Sequence, residues 1–105
     1  MIKPGQYILV VTHTKDDVMG EVVYRCDAVG LPPLVPEKDN SPAMKFTMIG
    51  GTGPCARKGM VIYDTESNII ANFKLGISKI IPEDIALKFG EPKDPKTSAM
   101  LGMEI

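Results

Sequence analysis

The sequence predicts a mainly β fold: a small antiparallel β-barrel or sandwich of about five strands with one short C-terminal helix. Three observations lead there. Several segments alternate apolar and polar residues with a period of two, glycine and proline punctuate the chain at short intervals, and only one segment, 82–90, reads as a helix.

In chain order, Lys3-Pro4-Gly5 is a turn, and "QYILVVTH" (6–13) is a strand apolar on both faces, as strands inside a sheet or between layers are. "TKDDVMG" (14–20) supplies loop residues. In 21–29, Val22, Tyr24, Cys26 and Ala28 face one way and Glu21, Arg25 and Asp27 the other, with Val23 breaking the polar face. This strand should pair with the first as a hairpin. The segment 30–42, "GLPPLVPEKDNSP", holds four prolines and suits neither a central strand nor a helix interior. It is long for a plain connection, and loops of that length are often functional. In 43–50, Met44, Phe46 and Met48 share one face.

Beyond a glycine-rich stretch, strands are expected at 60–64 and 69–77, joined by "TESN" as a four-residue hairpin loop. Ile69, Ala71, Phe73, Leu75 and Ile77 would form the buried face of the second. The helix is expected over 82–90: proline opens it, acids occupy its first turn, and Lys88 and Gly90 close it. Ile81, Ile85 and Phe89 would be its apolar stripe. Residues 1–90 therefore read as one domain. Residues 91–105 form an extension whose Met100, Leu101, Met103 and Ile105 should dock on the domain or on a neighbouring subunit.

Composition narrows the function. The chain has 105 residues, 44% hydrophobic and 24% charged, with twelve cations against thirteen anions for a net charge of −1. That is globular, and the lack of a basic excess argues against a nucleic-acid binder. No run is long and apolar enough for a signal peptide or a span, so the expected location is cytoplasmic. Two cysteines, Cys26 and Cys55, are too few for a disulfide framework and are expected as thiols.

The stretch that invites a functional reading is "IGGTGPCARKGMVIYD" (49–64), with four glycines and one of the chain's two arginines. Gly51, Gly53 and Ala56 fit G-x-G-x-x-A, but that dinucleotide motif needs a helix to open there, and a strand follows instead. A phosphate loop fails too: Lys58 precedes Gly59, and no Ser or Thr follows to hold magnesium. What survives is an anion-binding concavity of backbone N–H groups. Gly50, Gly51, Thr52 and Gly53 would be the donors, with Arg57 and Lys58 countering the charge. The competing reading is a tight connection whose glycines serve the backbone alone.

Other candidates are weaker. His13 with Asp16 and Asp17 lacks a third ligand for a divalent metal, so no metal is assigned. A Cys55–His13 pair could be nucleophilic, with Arg57 and Lys58 lowering the thiol's pKa, but no catalytic residue is assigned. Cys26, Met44 and Met48 read as core. The leading expectation is a non-enzymatic, cofactor-free, oligomeric binding protein holding a small, nucleotide-like anion at residues 50–58. The alternative is a structural or protein–protein interaction subunit, of the viral-assembly or inhibitor type, using the proline-rich loop 30–42 and the apolar tail. Neither involves a membrane.

Overall fold

The computed structural model describes residues 2–13, 19–53 and 56–90. Five antiparallel strands form one sheet: β1 (Tyr7–His13), β2 (Met19–Leu31), β3 (Ala43–Gly51), β4 (Val61–Thr65) and β5 (Ser78–Ile81). Two helices complete it, α1 (Glu66–Lys74) between β4 and β5, and α2 (Glu83–Gly90) after β5. The strand order is β4-β3-β2-β1-β5. The expected β1–β2 hairpin is present, with Ile8 opposite Tyr24 and Val10 opposite Val22.

The sheet is not closed into a barrel, because β4 and β5 lie at opposite edges instead of pairing. Each face is covered by a helix. On one face, Ile69 and Phe73 of α1 pack on Ile8, Cys26, Met44 and Phe46. On the other, Ala86 and Phe89 of α2 pack on Tyr7, Leu9, Val23 and Ile49. Two cores explain two sequence features. β1 is apolar on both faces because both are covered, and Val23, the apolar residue on an otherwise polar face, is fully buried under α2.

The segment 69–77 corrects the expectation of a strand. Helix α1 occupies most of it, and β5 follows at Ser78. "TESN" is not a hairpin loop either: Thr65 is the N-cap, its side chain accepting the Asn68 N–H, and Glu66 sits favourably in the first turn. The helix stops in a Schellman motif. Gly76, at φ 77°, donates to the Phe73 carbonyl, and Ile77 donates to that of Asn72. Over nine residues, periods of two and of 3.6 both fit Ile69 and Phe73; the difference appears at Leu75, which is 72% exposed. Helix α2 lies where expected, but its buried face is Ala86 with Phe89, while Ile85 is exposed.

The expectation for the tail concerns 91–105, which lies outside the described residues, as do Asp16, Asp17 and Cys55.

Candidate functional site

The glycine-rich segment leaves β3, turns, and returns as β4. Gly50 and Gly51 lie opposite Val23 and Val22 of β2. A Cβ on Gly50 would stand 2.0 Å from the carbonyl oxygen of Phe89, so the C-terminal end of α2 fills the space a side chain would need. A Cβ on Gly51 would stand 2.3 Å from the Glu21 carbonyl oxygen, and one on Gly20 would stand 2.4 Å from that of Thr52. These glycines let three backbone segments approach closely. Thr52 extends the same contact: its N–H donates to the Glu21 carbonyl at 2.7 Å, and its hydroxyl oxygen accepts the Glu21 N–H at 3.2 Å.

The cations lie further along the turn. Arg57 and Lys58 are both exposed. The Arg57 guanidinium donates to the Ala56 carbonyl at 2.8 Å. The Lys58 ammonium donates to the Gly90 carbonyl, the position where a cation neutralises the negative end of α2. A depression beside Thr52 is lined by Val11, Gly20 and Glu21, so an acid stands on its wall. The fold thus gathers Gly50, Gly51, Thr52 and Lys58 around the junction of β2, β3 and α2. Gly53 (φ 84°) and Arg57 belong to the exposed outer part of the turn.

Cys26 is a buried thiol, and burial together with the nearby Asp27 charge pushes its pKa up, away from nucleophilic reactivity. Partial burial also pushes the Asp27 carboxyl up. Hydrogen bonds from Thr47 and Arg25, and the charges of Arg25 and Lys45, outweigh it, so the net pKa is lowered. Among the described residues, no three His, Cys, Asp or Glu side chains gather as metal ligands.

The proline-rich loop is a built element. β2 runs into it as far as Leu31, and Val35 bridges Asp39 across a tight turn. Asp39 then ties the loop to the start of α1. Its carboxylate accepts from the Ser41 N–H at 2.9 Å and from the Ser67 hydroxyl, and the Ser41 hydroxyl reaches that of Ser67 at 3.3 Å. These bonds from Ser67 and Ser41 lower the Asp39 pKa to about 2. At Glu66 the N–H donates to the Pro42 carbonyl at 2.8 Å. So held, the loop presents Leu34 (46% exposed) and Val35 (45% exposed) to solvent, with Val29 beside its base. The staple was missed in the sequence, although Asp39 and Ser41 are residues that fold back onto their own backbone.

Comparison with protein-family models, curated proteins and solved structures finds no match for this chain. Among the described residues, no helix is long and apolar enough to cross a membrane.

Proposed function

We propose that the protein is a non-enzymatic interaction subunit acting in the cytoplasm, and that loop 30–42 is its recognition element. One observation carries this reading: two adjacent apolar side chains, Leu34 and Val35, are held out to solvent by a loop that is itself fixed by prolines and by the Asp39–Ser41–Ser67 bonds. Such stiffness stabilises the fold, and it also favours a partner, because a loop ordered in advance loses little further freedom on binding.

The test is photo-crosslinking inside the source cell from a benzophenone amino acid at Leu34, with the same group at the exposed Leu75 as control. A defined adduct from Leu34 alone is expected, and Leu34→Asp should then weaken the purified complex at least tenfold, about 1.4 kcal/mol. Equal adducts from both positions would count against the loop.

A small anion is the second reading, favoured by the exposure of Thr52, Gly53, Arg57 and Lys58 on one turn. Under it, Arg57→Ala weakens the ligand by about 1.5–3 kcal/mol, the worth of a hydrogen bond to a charged group; isothermal titration with nucleotides measures this.

A further inference from the structure

We propose that the outer edge of β4 docks a second copy of this chain, the two β4 strands pairing antiparallel about a two-fold axis. The proposal does not rest on the role given to loop 30–42. The two sheet edges differ. β5 has four residues and carries an exposed Lys79, the kind of charge that blunts an edge. β4 has neither lysine nor proline, and Val61 and Tyr63 are 48% and 53% exposed on it. Among the described residues no strand pairs with β4 on that side.

The phase of the ladder says which groups this edge offers. The Met48 N–H donates to the Met60 carbonyl at 2.8 Å. Bonded pairs alternate along an antiparallel ladder, so Phe46/Ile62 is the next, and Thr47/Val61 and Lys45/Tyr63 are not bonded. Val61 and Tyr63 consequently direct their N–H and C=O groups away from β3. Such a row of outward groups is a template for another strand.

The edge is complementary to itself. With the axis at Ile62, Val61 of each copy meets Tyr63 of the other and exchanges both hydrogen bonds, which uses every backbone group the two residues offer. Val61 and Tyr63 share one sheet face, so each exposed valine also meets an exposed tyrosine, a cross-strand pair that stabilises antiparallel strands. The charges fit the same direction. Arg57 and Lys58, both exposed, precede the strand, and Asp64 and Glu66 lie at its far end. Antiparallel pairing brings the cationic end of one copy to the acidic end of the other, whereas parallel pairing would set like charges together. A two-fold contact of this kind closes at two copies.

Sedimentation equilibrium and amide hydrogen exchange on the full-length protein test this, against Tyr63→Pro and Val61→Lys. Proline at 63 removes a donor aimed outward and none that β3 receives, a placement that edge strands tolerate. Lysine at 61 keeps the donors and adds the kind of charge that blunts β5, and it decides the matter should the proline variant fail to fold. The native chain is expected to dimerise, with the Val61 and Tyr63 amides gaining protection as concentration rises. Each variant is expected to raise the dimer Kd at least tenfold. The Ile62 amide, bonded to β3, should stay protected throughout and report an intact sheet. A native chain that stays monomeric would overturn the proposal, whether those amides exchange fast or are protected by the chain's own residues. A dimer that neither variant weakens would overturn it too, by placing the contact elsewhere.

Discussion

Gly50 shows how a residue chosen for one apparent purpose can serve another. In the sequence it stands among residues suited to hold an anion, yet its missing side chain is what lets α2 end against β3. Gly50→Ala should destabilise the fold by about 3 kcal/mol in urea unfolding, because the added methyl meets backbone and α2 must move. Ser78 makes the opposite prediction. Its hydroxyl is buried and, among the described residues, without a hydrogen-bond partner. Ser78→Ala should therefore raise stability by about 1 kcal/mol in the same experiment. Asp39 is the residue that responds to pH. Its folded pKa of about 2 is below the ordinary value of about 3.9, so its contribution to the folded state is fully present above the ordinary value. The contribution is lost as pH falls through about 2. An NMR titration of the Ser67→Ala variant should find the Asp39 carboxyl shifted back up toward the ordinary value. No change would mean that Ser67 does not hold it.

The elements differ in how plainly the sequence announced them. β2 and β3 were legible because alternation runs through most of each, β1 because a short apolar run bounded by turn residues reads as a doubly covered strand, and α2 because Pro82, Glu83, Lys88 and Gly90 punctuate it. α1 carries the same kind of signal in Thr65, Glu66, Lys74 and Gly76. It was hidden because Ile69, Ala71, Phe73, Leu75 and Ile77 also alternate, and in so short a segment local pattern cannot decide between the two periods. The tertiary setting decides: Ile69 and Phe73, four apart, both meet the core, and Leu75 does not. Gly76→Ala should cost about 1 kcal/mol by placing a Cβ at a left-handed backbone position, measured by thermal unfolding. The candidate site was legible only as composition. The glycines and cations of 49–64 were visible, but the approach of Phe89 to Gly50 and of Gly90 to Lys58 joins residues more than thirty apart in sequence, which spacing does not reveal.

Taken whole, the molecule spends two helices covering both faces of one open sheet, and this has consequences for function. Among the described residues the sheet is open, with β4 and β5 at its two edges, and the surfaces that bear on the two functional readings are two connecting segments. Of these, loop 30–42 is pinned to α1 with apolar residues outward, while the turn at 50–58 is engaged at its base with β2 and α2. Native mass spectrometry of the protein taken from its source cell, with and without Leu34→Asp, separates the two readings most directly. The interaction reading predicts a protein complex, with a different chain or a second copy, that Leu34→Asp dissociates and Arg57→Ala leaves intact. A lone chain carrying a few hundred daltons of bound small molecule, lost on Arg57→Ala and kept on Leu34→Asp, would contradict it and return the function to the glycine turn.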